Sequence, residues 1–315
     1  MKRFLGLALA ASASIAAALV AVPTAAEYPE KPVRFINPWP PGDLEDVLVR
    51  MIAEDFQKAY GQPAAVVNKP GGGGGPFPGA IEVARAPADG YTIGNFVIGV
   101  PVIGPNIGIA ELNPNPFEPI GIFLTYPFVI VTSKEAPYQS MEGLAQHAKS
   151  HDVVLGHFGA PLIPTKVTLA LARKMGFSFA ADSAFDNLDC NTLASGDVDV
   201  MNTTIQLVVP CLDKITVLTA ITEQRIAKAP DAPTVGELDK SLSISLWNGL
   251  FVHKEVPPAV REKIAAIARK TVTSGRARKF ASDTGAQIYW KDAATSTRQI
   301  AADIEAAGKI AQLLK

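Results

Sequence analysis

Five consecutive glycines, Gly71 to Gly75, stand between Asn68-Lys69-Pro70 and Pro76, and earlier in the chain runs Pro38-Trp39-Pro40-Pro41-Gly42-Asp43. Glycine has no Cβ, so such segments take positive φ and bring main-chain N–H groups close to a ligand. Amides at Gly42, Asp43, Gly72, Gly73 and Gly74 are therefore expected to grip a ligand, and helix starts beside them add a positive dipole end. A carboxylate can be held this way without many basic side chains. Tight turns alone would explain isolated glycines, but five in succession exceed what a turn requires.

Asp43 and Asp46 have the spacing of an N-cap and an N3 acid for a helix beginning at Leu44. The sharper reading turns Asp43 or Glu45 toward the ligand, selecting a protonated or hydroxyl-bearing molecule. A buried carboxylate there would repel a carboxylate ligand by roughly several kcal/mol. A second loop, Gly156-His157-Phe158-Gly159-Ala160-Pro161, leads into another helix and offers amides at Gly159 and Ala160. Thr165 is a candidate N-cap, with Lys166 and His157 as nearby cations. Their ordinary roles would be a solvated helix lysine and a loop histidine with a local hydrogen bond. Thr203 and Thr204 follow a strand at its ligand end, though hydroxyls there also serve turns. Trp39 and Pro41 in the first turn, and Gly99 beyond the third strand, complete the candidate set.

Enzyme motifs are absent. No Gly-x-Ser-x-Gly elbow occurs, and no Gly-Lys-Ser/Thr follows the glycine run. The histidines at 147, 151, 157 and 253 give no metal spacing beyond the first two at i, i+4. No cofactor, metal or catalytic residue is expected.

These residues must be positioned by an exported, two-lobed chain. Lys2 and Arg3, the apolar stretch Phe4 to Val22 and the small residues ending at Ala26 read as a removable signal, residues 1–26. The remaining length suits two lobes. A formal net charge of −1 gives no electrostatic case for nucleic acid or an anionic membrane surface. Cys190 and Cys211 either pair or remain as two buried thiols.

Strand 33–36, helix 44–60, strand 64–67, helix 79–86 and strand 91–94 alternate as in a parallel sheet with crossover helices. Ligands sit beyond the C-terminal ends of such strands, where both glycine-rich turns emerge. The stretch 99–119 reads as irregular. The apolar run 120–132 suits a strand crossing between lobes, and 215–221 one that crosses back. Between them lie helices 140–149, 165–175, 187–194 and 207–212, with strands 153–155 and 198–201. The tail from Pro257 is mostly amphipathic helix. Residues 27–125 and 219–315 then form lobe 1, and 126–218 lobe 2.

The order of phrases resembles the solute receptors of tripartite tricarboxylate transporters, the Bug-type receptors. Tyr28-Pro29-Glu30-Lys31-Pro32-Val33-Arg34 and Pro38-Trp39-Pro40-Pro41-Gly42 match their opening phrases, and Asn68-Lys69-Pro70-Gly71-Gly72-Gly73-Gly74 follows. Further on come Pro87-Ala88-Asp89-Gly90-Tyr91-Thr92, Gly196-Asp197-Val198-Asp199, Pro230-Asp231-Ala232-Pro233-Thr234-Val235-Gly236-Glu237 and Trp247-Asn248-Gly249-Leu250-Phe251. The phrases cover nearly the whole mature chain. The resemblance implies a type II-like periplasmic-binding-protein clamshell of α/β fold, each lobe a mainly parallel sheet flanked by helices. It also implies a periplasmic monomer that captures a mono- or dicarboxylate and hands it to a membrane permease.

Three departures from the family pattern mean that the ligand does not follow from it. Asp43 takes the place of a glycine, with Leu44-Glu45 where a Ser/Thr pair is usual. Gly156 to Pro161 replaces a Ser- and Gly-rich loop, and Ser183-Ala184-Phe185-Asp186 a Tyr-x-Gly-Gly-rich turn. Two rival functions are a loaded receptor docking on a membrane sensor kinase and an exported hydrolase. The hydrolase would need an activated nucleophile, and none is visible.

Overall fold

The computed structural model describes residues 28–71, 75–185 and 187–315. The expected signal segment and Gly72, Gly73 and Gly74 lie outside these residues. The first strands are β1 (Val33–Asn37), β2 (Ala64–Asn68) and β3 (Thr92–Val97), with α1 (Leu44–Tyr60) and α2 (Phe77–Ala84) as the crossovers. Both β2 and β3 run parallel to β1. Leu44, Leu48, Val49, Ile52 and Phe56 recur at helical spacing and are buried along one face of α1. Gly61 ends that helix in the left-handed conformation, φ 70°, with its amide on Gln57 O.

After α3 (Gly99–Ile103) and two short 3-10 turns, β4 (Phe117–Thr125) completes this part of the first sheet. The stretch read as irregular thus contains a helix and the start of a strand. The apolar run 120–132 is likewise two strands, β4 and β5 (Phe128–Ser133), which belong to different sheets. Tyr126-Pro127 carries the chain across, and Pro127 has no N–H with which to continue a ladder.

The second sheet gathers β5, β6 (Val154–His157), β7 (Ala181–Ala184), β8 (Val200–Thr204) and β9 (Ile215–Ile221). Its helices are α4 (Met141–His147), α5 (Ile163–Lys174), α6 (Cys190–Ala194) and α7 (Ile205–Val208). Cys190 and Cys211 form a disulfide, with Cα atoms 6.0 Å apart. The returning chain passes α8 (Val235–Leu238) into β10 (Trp247–His253), α9 (Pro258–Val272), α10 (Gly275–Thr284), β11 (Gln287–Asp292) and α11 (Ala293–Leu313).

The sheet orders are β11-β4-β10-β3-β1-β2 and β7-β6-β8-β5-β9. Both are mixed, which corrects the expectation of mainly parallel sheets. β10 runs antiparallel to β3 and β4, and β5 antiparallel to β8 and β9. The crossings dictate this. A strand leaving a lobe toward the hinge and one arriving from it must run in opposite directions when they lie side by side.

The two crossings are tied together. Tyr126 N donates to Leu246 O at 2.7 Å, Thr125 pairs with Trp247, and Ile205 N donates to Pro127 O at 2.9 Å. Thr125 Oγ1 lies 2.8 Å from Tyr289 OH and 3.2 Å from Ser245 Oγ. α11 packs on β4 and α3 and extends to α5, where Arg173 donates to Leu313 O. Trp247 is fully buried, and its indole N–H donates to Asp303 of α11 at 2.6 Å. Two lobes, each with its own sheet, thus meet at a seam of hydrogen bonds.

Candidate functional site

Two asparagines and an acid fix the Pro38–Asp43 turn. Asn68 and Asn37 each donate an Nδ2–H to Trp39 O, at 2.9 and 3.4 Å. Asp46 receives Gly42 N at 2.9 Å, Asn68 Nδ2 at 2.7 Å and both Arg50 Nε and Nη2. Burial raises the Asp46 carboxyl, but these donors outweigh it and hold it below the ordinary carboxylate range. The Gly42 amide expected to face a ligand is therefore committed to Asp46. Gly42 keeps its other use, φ 97°.

The capping expectation divides. Asp46 reaches back across the helix start, whereas Asp43 occupies the N-cap position without a side-chain cap hydrogen bond. Its carboxyl stays half-exposed, and Glu45, one residue into α1, is almost fully buried. Neither pairs with a Lys or Arg among the described residues. Burial, then Asp46, pushes Asp43 up to about 6. Burial, then Asp43, pushes Glu45 up to about 8.

Facing Glu45 is a residue that the sequence reading passed over. Tyr126, on the first crossing, is 8% exposed. Its hydroxyl acts on Glu45 and Asn248 but has no well-formed hydrogen bond. Burial first, and the Glu45 charge second, keep the phenol far above its ordinary range. Asn248 on β10 and Asn202 on β8 are fully buried with both side-chain polar atoms unpartnered. Asn95 Oδ1, Gln206 Oε1 and Trp39 Nε1 are also buried without partners. Most buried polar groups find partners within the protein or in ordered water, and most of those left without one gather around the crossings. The sequence did hold a signal, because Asn95, Asn202 and Asn248 interrupt apolar strands. Tyr126 was hidden inside a run read as plain core.

Gly99 opens α3 directly after Ile98, whose amide bonds Trp247 O. It is buried, yet a Cβ built there meets no atom within 4 Å, so it borders covered space. Tyr126, Phe128 and Phe158 form a chain of edge-on rings, each pair 6.2 Å apart, from the crossing to the second-lobe loop. Gly75, at the end of the glycine run, faces that loop. A Cβ there would lie 3.8 Å from Leu162 Cδ2, so the two jaws come close at this point.

The second-lobe candidates are mostly committed within their own loop. Gly159 N donates to His157 Nδ1 at 3.0 Å, so His157 Nε2 carries the ring proton and lies 2.7 Å from Asp182 Oδ1. This corrects the expectation of a free Gly159 amide and gives His157 the local hydrogen-bonding role. Thr165 is not the N-cap of α5; Leu162 is, and Thr165 Oγ1 instead donates to Gly159 O at 2.8 Å. Thr203 Oγ1 donates to Leu188 O at 2.7 Å. Thr204 precedes α7 without a side-chain cap bond. Ala160 and Pro41 are exposed, and Lys166 is partly exposed. Gly72, Gly73 and Gly74 lie outside the described residues.

Two mixed α/β sheets, paired crossings and unpartnered polar groups at the seam define a two-lobed solute-binding protein. A family model described as "Tripartite tricarboxylate transporter family receptor" matches residues 48–315, and the chain belongs to that family. A UPF0065 protein of Agrobacterium vitis is 28% identical over 261 residues, 76% of this chain and 70% of that protein. Among solved structures, a TctC solute binding protein from Polaromonas superposes with TM-score 0.72 at 26% identity, covering 90% of this chain and 99% of its own. MatC from Rhodopseudomonas palustris, with bound malate, gives TM-score 0.75 at 22% identity, covering 91% and 100%. Among the described residues no helix is long and apolar enough to cross a membrane.

Proposed function

We propose that this chain is a periplasmic receptor that closes its lobes, residues 27–125 with 219–315 and 126–218, on a small mono- or dicarboxylic acid. It then delivers the acid, as a monomer, to the membrane permease of a tripartite transporter. The observation that carries this reading is the set of buried, unpartnered polar groups from both sheets at the seam: Tyr126, Asn95 and Asn248 on one side, Asn202 and Gln206 on the other. Groups so placed are costly unless atoms from outside the chain complete their hydrogen bonds. The malate carried by MatC, on the same fold, supports an acid as guest. Crossings limited to Tyr126-Pro127 and the segment before Trp247 are a short hinge.

The test is a thermal-shift screen of organic acids on the secreted protein. A ligand at about 100 times its Kd adds about 2.7 kcal/mol to stability. A dose-dependent rise in Tm with at least one acid is expected. A flat response across the panel, on protein shown to be folded, refutes the reading.

A further inference from the structure

Three carboxyls crowd the start of α1, and only one is accounted for. Asp46 is bound by Arg50, Asn68, Asn37 and the Gly42 amide, and its charge is thereby met. Asp43 and Glu45 receive no hydrogen bond from another side chain of good geometry and no ion pair among the described residues. Asp43 raises the cost of ionising Glu45, and Asp46 that of ionising Asp43. The Tyr126 hydroxyl, buried and unpartnered, stands against Glu45, and both polar atoms of the Asn248 side chain are equally unmet. On the same side, Asn95 Oδ1 is a further bare acceptor.

What this half of the site lacks is a donor with positive charge. An ammonium group offers three N–H donors and no acceptor. Asp43, Glu45, and the Tyr126 or Asn248 oxygen supply three acceptors, two of them anionic. A carboxylate set in the same place would meet like charge at close range in poor solvation. Resting on the receptor reading above, we propose that the captured acid also carries a protonated amine, seated between Asp43 and Glu45, with Tyr126 and Asn248 completing its shell. The carboxylate end then points to the opposite lobe, where Asn202 Nδ2 is a buried donor without a partner.

A pH signature follows. Glu45, pushed up to about 8, holds its proton near neutrality, while Asp43, at about 6, has largely released its own. An arriving ammonium displaces the Glu45 proton, so an amine binds tighter as pH rises. Asp46, ionised beside Arg50, and the protonated Tyr126 do not change state between pH 6 and 8. Across the seam the charged or titratable groups are His157, bonded to Asp182, and Lys166. A plain acid held by a protonated Glu45 would show the opposite trend, weakening as pH rises.

Calorimetric titration with matched pairs tests this: succinate against aspartate, glutarate against glutamate, butyrate against 4-aminobutyrate, valerate against 5-aminovalerate. The amino member of at least one pair is expected to bind ten-fold or more tighter than its partner, and tighter at pH 8 than at pH 6. Glu45→Gln and, separately, Asp43→Asn should each remove at least ten-fold of that preference and flatten the pH dependence, with melting curves showing both variants folded. If the plain acids bind as well or better throughout, or if both variants retain the amine, the proposal falls and the receptor reading stands. If no member of the panel binds the folded protein, both fall.

Discussion

The two jaws carry the same local topology, a strand running through a glycine-bearing turn into a helix, yet they use their polar groups differently. In the β6-to-α5 turn three candidate donors close inward: Gly159 on His157, His157 on Asp182, Thr165 on Gly159. In the β1-to-α1 turn closure is partial. Asp46 captures Gly42, and the asparagines capture Trp39 O, but Asp43 and Glu45 are left over. The contrast teaches that a loop's main-chain amides are first claimed by its own side chains. What remains unclaimed, rather than what is glycine-rich, marks the binding surface. The second lobe is also stapled covalently, by Cys190–Cys211, and all its cysteine is used there.

Breaking the staple should have the largest effect. The bond closes a loop of sequence separation 21, for which chain-entropy arguments give about 3 kcal/mol. Replacing both cysteines by alanine should lower stability by that order, read as a fall in urea midpoint. An unchanged midpoint would show that the second lobe does not depend on its crosslink. Removing the loop's centre comes next. His157 is 1% exposed and bonded at both ring nitrogens, so His157→Ala should cost about 2 to 3 kcal/mol in the unliganded protein. A cost near zero would mean that the loop is not held from within, and the contrast between jaws would disappear.

The first jaw should respond with the opposite sign. Glu45 in the folded protein keeps a proton up to about pH 8, whereas at its ordinary value of 4.5 an unfolded chain has already released it. Its folded value is raised, so its contribution to stability is present at low pH and is lost as pH climbs through that window. Glu45→Gln removes the titration. The variant should match the parent near pH 4.5 and exceed it above pH 8, by about 1 to 2 kcal/mol. The gain stays below the full linkage value because the amide is also buried without strong partners. Melting curves across pH 4.5 to 9 decide it, and a parent protein whose Tm rises through that range would reverse the assignment.

Much of the fold was legible because burial sets periodicity. The helix 44–60 and the strand 215–221 have the bounds expected of them. Strands that are not buried left no such trace. β7, Ala181–Ala184, is exposed throughout, and β11, Gln287–Asp292, is only partly covered at a sheet edge. The acids and glycine-rich turns of the candidate site could be named from the sequence, but not their allegiances. Nothing local in Gly159 tells that His157 will take its amide. Gly42 did carry a signal, since an acid at N3 spacing, Asp46, is placed to compete for amides at a helix start. Tyr126 and Asn248 join the site only because two crossings far apart in sequence lie side by side.

Thr203 gives the finest cut between the jaws, since position alone would place its hydroxyl at the ligand end of β8. In the fold it is fully buried, and its Oγ1 donates to Leu188 O at 2.7 Å, on the way to the disulfide-bearing α6. A side chain so engaged supports its own lobe. Thr203→Val keeps the shape and removes one neutral hydrogen bond, which predicts a loss of about 1 kcal/mol. Affinity for whichever acid gives the largest thermal shift should stay within about two-fold, under 0.5 kcal/mol. Its neighbour Asn202, buried with nothing to bond, should behave in the reverse manner: Asn202→Leu should weaken that acid by ten-fold or more and leave the unliganded Tm level or higher. If Thr203→Val lost the ligand and Asn202→Leu kept it, the rule that unclaimed groups make the site would be wrong for this lobe, and the threonine would be a contact after all.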